Sequence, residues 1–236
     1  SIVDILAVLY GRVMQYRSSE PKWVNRDRFI LSKGHAGAGV YAILAECGFF
    51  DIVELAKHYQ DGSIFSGHVS HKGVPGVELS TGSLGHGLPV ASGMALAAKI
   101  DKKTHKVFVV MSDGELDEGS NWEAFMFAAH HGLNNLTAVI DRNKLQSMRT
   151  TEETLSLEPL RDKLIAFGWN VIEVDGHDHD ELFSAIDGDT KKPKVIIANT
   201  IKGKGVSFME NEIAWHYRTP NGRLFDQAMK DLGEKI

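Results

Sequence analysis

The sequence predicts an α/β domain built on a mostly parallel central sheet, and three observations carry that prediction. Short apolar runs rich in β-branched residues alternate with segments whose apolar residues recur at helical spacing. The stretch 107–145 contains a complete strand–helix–strand unit. At 236 residues and 43% hydrophobic, the chain can bury one core and corresponds to a single large domain, 1–236.

The elements follow in chain order. From Ile2 to Tyr16, the residues Ile2, Ile5, Leu6, Leu9 and Val13 share one helical face. This helix is already under way at Ser1, with no Met, so residues are expected upstream. Phe29–Leu31 is a short strand. Ser32-Lys33-Gly34-His35 stands where it gives way to a helix over Gly37–Cys47, and a helix start with a Lys and a His suits an anion. In isolation the same word is a capping Ser beside a surface Lys. Residues 60–90 are dense in glycine and lack periodicity, which in a segment of this length signals function or disorder. A helix over Leu88–Lys99 follows, with Ala91, Ala95 and Ala98 on a small-residue face suited to a subunit interface or to tight core packing.

The central unit begins with the strand Val107–Met111 and breaks at Ser112-Asp113-Gly114. Its helix carries Trp122, Phe125, Met126 and Ala129 and is expected to start near Ser120 or Asn121, either of which can cap it. Gly132 to Asn135 stops it, and the strand Leu136–Ile140 ends in Asp141-Arg142-Asn143. Thr151–Thr154 is a polar connection, Leu157–Phe167 a helix, Asn170–Val174 a strand, Asp180–Ile186 a helix and Lys194–Ala198 a strand. Asn221–Ile236 forms a loop and a closing helix.

Asp113 and Asn143 lie thirty residues apart at the carboxyl ends of consecutive strands. Ligands of open parallel sheets bind outside those ends. A carboxylate and an amide oxygen there can share a hard cation such as Mg²⁺, which takes oxygen ligands at about 2.0–2.1 Å and completes its shell with phosphates. Gly114, lacking a side chain, lets a diphosphate approach the backbone. Either residue alone would be an ordinary turn or loop polar; the pairing at this spacing favours a metal–diphosphate site.

Asp-Gly followed about thirty residues later by Asn resembles the thiamine diphosphate signature. The words SDGELDEGSNWEA, FAAHHGL and NLTAVIDRNKLQ resemble the transketolase family, specifically its diphosphate-binding (PP-type) domain. Ser112 departs from the family's usual Gly, a small change. The resemblance implies the thiamine diphosphate-binding fold with helices on both faces of the sheet. It also implies Asp113, Asn143 and the Leu145 carbonyl as ligands of Mg²⁺, or of Ca²⁺ or Mn²⁺ in its place, with Gly114 and Glu115 beside the cofactor. SKGH matches a family word whose Lys and His serve the diphosphate or substrate side, here Lys33 and His35. SGH carries a channel histidine, His68. TGSLGHG resembles the turn that meets the aminopyrimidine, here Gly82, Ser83 and Leu84; His86 replaces the usual Gln, and its role stays open. KGKG and the WH pair fourteen residues on imply Lys202 and His216 at the cofactor. His35, His68 and His216 thus become the catalytic candidates. Glu118, five residues after Asp113, corresponds to a dimer-interface Glu that communicates with the partner's activating Glu. A further channel histidine of the family falls upstream of Ser1.

His130 and His131 at a helix end, His177 and His179 in the GHD turn, and the loop residue His71 are read as structural. Cys47 is a small core residue, and a single cysteine excludes an internal disulfide and fits a reducing, cytoplasmic setting. The net charge of −5 gives no support for nucleic-acid or anionic-membrane binding, and no apolar run is long enough for a membrane span. By resemblance the activity is transfer of a two-carbon ketol unit from a ketose phosphate to an aldose phosphate. The pyrimidine-binding and C-terminal domains of a whole transketolase are not in this sequence. The chain is therefore expected to be the N-terminal subunit of a split enzyme, completed in an α2β2 assembly by a C-terminal subunit. The competing expectations are a 2-oxo-acid dehydrogenase-like or deoxyxylulose-phosphate synthase-like subunit, or a non-catalytic regulatory subunit that retains the fold.

Overall fold

Five apolar runs become five strands because none can satisfy its backbone or bury its side chains alone. In the computed structural model, which describes residues 1–233, they form one all-parallel sheet in the order β1-β2-β3-β5-β4. The strands are β1 (Arg28–Leu31), β2 (Val107–Ser112), β3 (Leu136–Arg142), β4 (Asn170–Asp175) and β5 (Lys194–Asn199). The helices are α1 (Val3–Val8), α2 (Gly37–Glu46), α3 (Gly87–Ile100), α4 (Gly119–His130), α5 (Thr151–Thr154), α6 (Leu160–Ala166), α7 (His179–Asp187) and α8 (Arg223–Asp231).

Alternation along the strands divides the core in two. Phe108, Val110, Val139 and Ile196 face a layer made by α1, α2 and α7. Val109, Met111, Ala138 and Ile197 face the layer of α3, α4 and α6. The chain moves one way across the sheet from β2 to β4, so its right-handed crossovers put α4 and α6 on the same face. It then steps back from β4 to β5, and the same handedness sends α7 to the opposite face. The expected fold, with helices on both faces, is the one observed.

Several boundaries differ from the sequence reading, each for a local reason. The first helix tightens into a π-helical turn over Leu9–Val13 and ends there, with Met14 already extended. The α4 N-cap is Glu118 rather than Ser120 or Asn121. Those two side chains instead reach backward, Ser120 Oγ to the Gly85 carbonyl (2.7 Å) and Asn121 Nδ2 to the Glu115 carbonyl (2.6 Å). Thr151–Thr154 is a one-turn helix closed by a Thr150/Glu153 capping box. The helix expected from Leu157 begins only at Leu160, because Pro159 occupies its N-cap. Strand β3 runs on through Asp141 and Arg142, both buried despite their charge. Of the closing segment, α8 is present over Arg223–Asp231, and 234–236 lie outside the described residues. No helix among the described residues is long and apolar enough to cross a membrane.

Candidate active site

Parallel pairing brings the carboxyl ends of β1, β2, β3 and β5 side by side along one edge. At its centre is Asp141, fully buried near the end of β3. Its carboxylate accepts from Lys33 Nζ (2.6 Å) at the end of β1 and from Ser1 Oγ (2.6 Å). It also accepts from Asn143 Nδ2 (3.2 Å) and from Thr200 Oγ1 at the end of β5. Burial by itself would raise this carboxyl, but Lys33 and the donated hydrogen bonds outweigh it and hold the group well below the usual carboxylate range.

Asp113, also fully buried, ends β2. Its Oδ1 accepts from the Gly114 N–H (2.8 Å), and its Oδ2 from the Lys144 N–H (2.6 Å) and Arg142 Nη1 (3.2 Å). The Lys144 N–H is aimed there by a left-handed backbone, φ 65°, a conformation a lysine adopts only when its surroundings impose it. Arg142 goes on to Thr151 Oγ1 (2.8 Å), Glu158 (2.8 Å) and Glu152 (3.2 Å), tying α5 and its flank to the strand end. Burial dominates at Asp113 and lifts its carboxyl above the ordinary value, against the pull of the Lys144 N–H.

These strand ends border a cleft of about 660 Å³. Lys33, His35, His68, Lys202 and His216 line it, as do Gly82, Leu84, Gly114, Asn143 and Leu145 from the other loops. Lys202 Nζ lies 3.0 Å from His216 Nδ1, and the His35 and His216 rings are 5.2 Å apart. His68 rides on a loop held at the end of β1. Its carbonyl accepts from the buried Tyr41 hydroxyl (3.0 Å), and the Val69 N–H donates to the Gly34 carbonyl (2.9 Å). The approach is so close that a Cβ on Gly34 would fall 2.1 Å from the Thr81 carbonyl oxygen.

Other expected site residues stand elsewhere. Glu115 does not face the cleft. Its fully buried carboxylate accepts from Ser32 Oγ, from the Gly85 N–H (3.0 Å) and from the Ser112 N–H (3.2 Å), so it joins β1, β2 and the glycine turn from behind. This corrects the expectation that it sits beside a cofactor: the tight turn after Asp113 rotates it into the protein. Ser83 is exposed beside the lining, and Asp113 is reached through its neighbours Ser112 and Gly114. Glu118 is exposed at the α4 N-terminus, against Gly85. His86 caps α3 with its backbone only. The sequence reading missed Asp141 and Arg142, whose signal was two charges inside a strand otherwise wholly buried. It also missed Gln146, which lies over Gly114, and His58 and Tyr59 on the cleft wall.

The cleft is cationic and crowded. His35 is held well below its ordinary pKa by burial first, then by Lys33, His216 and Lys202; burial and Lys33 likewise lower Lys202. The His35 ring is partly open to water in the cleft, which screens some of this repulsion. An anion in the cleft reverses the sign, because it favours the protonated imidazole. In an ¹⁵N-edited NMR titration, His35 is expected to titrate below the ordinary histidine midpoint in the free protein and to move upward when pyrophosphate binds. A midpoint unmoved by saturating pyrophosphate would place the anion elsewhere.

The match to known proteins bears on the same residues. Residues 1–232 fit the family model described as transketolase, thiamine diphosphate binding domain. The chain belongs to the transketolase family. It is 44% identical over 239 residues to one of the two kinds of chain of the apulose-4-phosphate transketolase of Phocaeicola vulgatus, a match covering 100% of this chain and 85% of the relative. It is 42% identical over 235 residues to the 6-deoxy-6-sulfo-D-fructose transketolase subunit SqwG of a Clostridium species, covering 98% and 86%. Human transketolase is 38% identical over 237 residues, but this chain spans 38% of it. Among solved structures, the transketolase of Pichia stipitis in complex with sedoheptulose 7-phosphate superposes with a TM-score of 0.92 at 30% identity, covering 99% of this chain and 36% of that one. This transketolase chain thus corresponds to the N-terminal, thiamine diphosphate-binding portion of the family, which the subunit relatives carry as a separate subunit. With the family comes the reaction class, thiamine diphosphate-dependent transfer of a two-carbon ketol unit.

Proposed function

We propose that this chain is the diphosphate-binding subunit of a two-chain transketolase whose cofactor lies in the cleft at the β1-β2-β3-β5 edge. The observation that carries the assignment is the meeting of Lys33, Lys202, His35 and His216 with Gly114, Asn143 and Leu145 around that single cleft. When bound, thiamine diphosphate supplies the nucleophilic carbon that adds to the ketose carbonyl and accepts the electrons released on C2–C3 cleavage. Lys202 and the paired Lys33 offset the diphosphate charge. His35 and His216, kept neutral by their surroundings, donate to oxyanions or move their protons. His68 hydrogen-bonds substrate hydroxyls from the cleft wall. The Gly82–Leu84 turn meets the aminopyrimidine, and Glu118 stands at the interface where a second chain completes the site.

The donor set suits a hard divalent cation, Mg²⁺ first. Asp113 has spent three of about four carboxylate lone-pair sites, and Asn143 Oδ1 one, on the Leu145 N–H (3.1 Å). Capacity therefore remains on both, and the Leu145 carbonyl would be the third protein ligand. Among the described residues no cluster of three His, Cys, Asp or Glu side chains could hold a metal, so carbonyl and amide oxygens must contribute, which favours Mg²⁺ or Ca²⁺ over Zn²⁺. The subunit relatives are named for apulose-4-phosphate and 6-deoxy-6-sulfo-D-fructose, which supports a ketose bearing a phosphate or sulfo group as substrate.

The partner is a C-terminal transketolase subunit carrying the pyrimidine-binding and C-terminal domains, in an α2β2 assembly. This chain alone is expected to give no turnover with thiamine diphosphate, Mg²⁺ and ketose and aldose phosphates, and the reconstituted pair to turn over. Robust activity from the chain alone would defeat the two-chain reading. A pair that assembles without binding the cofactor would leave a regulatory subunit instead.

A further inference from the structure

The turn after β4 holds a histidine with two occupied ring nitrogens. His177 Nδ1 lies 2.8 Å from Asp4 Oδ2 in the first turn of α1, and its Nε2 accepts the Ile201 backbone N–H at 2.8 Å. A backbone N–H can only donate, so Nε2 carries the lone pair and Nδ1 the proton, which goes to Asp4. The other oxygen of Asp4 is taken by His179 Nε2 (2.9 Å). His177 is largely shielded, its side chain 14% exposed. The residue after Ile201 is Lys202, the half-buried cation of the cleft.

We propose that His177, oriented by Asp4, is a positioning residue that sets Lys202 in the cleft by holding the Ile201 N–H. Three consecutive residues leaving β5 are then fixed from different sides. Thr200 donates to Asp141 through its hydroxyl and to the Arg142 carbonyl through its N–H (3.2 Å). Ile201 is held by His177, and Lys202 projects to His216. The turn that carries His177 presses against the same exit: a Cβ on Gly176 would meet Thr200 Cγ2 at 2.4 Å. A lysine side chain has many rotamers, so its aim at a diphosphate depends on where its backbone starts. Without the imidazole acceptor the Ile201 N–H loses its partner and the Lys202 backbone one of its restraints. The role of Lys202 toward the cofactor rests on the proposed function; the His177–Ile201 link does not.

The test uses the assembled two-chain protein with two substitutions. His177→Phe keeps the ring volume and removes the acceptor, whereas His177→Gln can place Oε1 where Nε2 stands. In His177→Phe the Ile201 amide is expected to exchange with deuterium about tenfold faster, with the β5 amides 195–198 unchanged. Its thiamine diphosphate Kd should rise about tenfold, while kcat at saturating cofactor stays within about twofold, as for an outer-shell partner of a cofactor site. His177→Gln should recover both values. Unchanged Ile201 protection in His177→Phe, an unchanged Kd, or a Gln variant as defective as Phe would each overturn the proposal. If His177→Phe fails to assemble, Asp4→Ala keeps the ring but frees its tautomer. Faster exchange at Ile201 is then expected, and its absence is decisive against. Should the wild type itself bind no thiamine diphosphate, the cofactor reading fails, and the exchange measurement still decides the His177–Ile201 link.

Discussion

Asp141→Ala is expected to destabilise the protein by about 3–5 kcal/mol, the range for removing one partner of a buried ion pair. The carboxylate is fully buried and Lys33 only 7% exposed, so the substitution leaves an ammonium with little water and no counter-charge. Asn143 Nδ2 and the Thr200 hydroxyl lose an acceptor in the same step. Urea unfolding of wild type, Asp141→Ala, Lys33→Met and the double variant checks the cause. If the unpaired charge dominates, the double variant should lose much less than the sum of the singles. Additive losses would mean that Lys33 and Asp141 act independently, and a loss under about 1 kcal/mol would contradict the hub.

Asp113→Asn is expected to abolish metal-dependent binding of thiamine diphosphate to the reconstituted pair, weakening it about 100-fold or more. The change is nearly isosteric but removes the only carboxylate among the three proposed ligands. It also puts an amide NH₂ against at least one of the N–H donors that now meet the carboxylate, those of Gly114, Lys144 and Arg142. A donor facing a donor turns an attraction into a repulsion, so the side chain would also rotate out of its present position. Titration calorimetry with and without Mg²⁺ separates these effects. Wild type should bind only with metal, and the variant should be weak in both conditions while retaining its circular dichroism. A variant that binds as wild type with Mg²⁺ would move the metal away from Asp113.

How far the sequence carried each residue depended on how local its signal was. The strands β2, β3 and β5 were legible because a strand buried on both faces must be almost continuously apolar. The glycine turn and the Asp113/Asn143 spacing were legible as whole words. Arg142 was passed over because a charge ordinarily ends a buried strand; here β3 continues through it, since Asp113, Glu152 and Glu158 surround the guanidinium. Glu115 shows the opposite error. Adjacency to Asp113 suggested the cleft, yet a single tight turn of backbone sends neighbouring side chains in different directions.

By itself the amino-acid sequence determined the class of fold, the family and the strand ends where the chemistry gathers. Those depend on periodicity, on glycine placement and on residues close together along the chain. Only the tertiary structure decided that Asp141 joins Lys33, Asn143 and Thr200, that Glu115 braces the site from behind, and that His177 reaches Ile201. Each of these joins side chains or backbone groups from different strand ends and loops. Lys33 and Asp141 are 108 residues apart in sequence, and no local pattern encodes such a pairing. It exists because β1, β2, β3 and β5 lie side by side in parallel, so that four distant segments end at one edge and their polar groups must satisfy one another there.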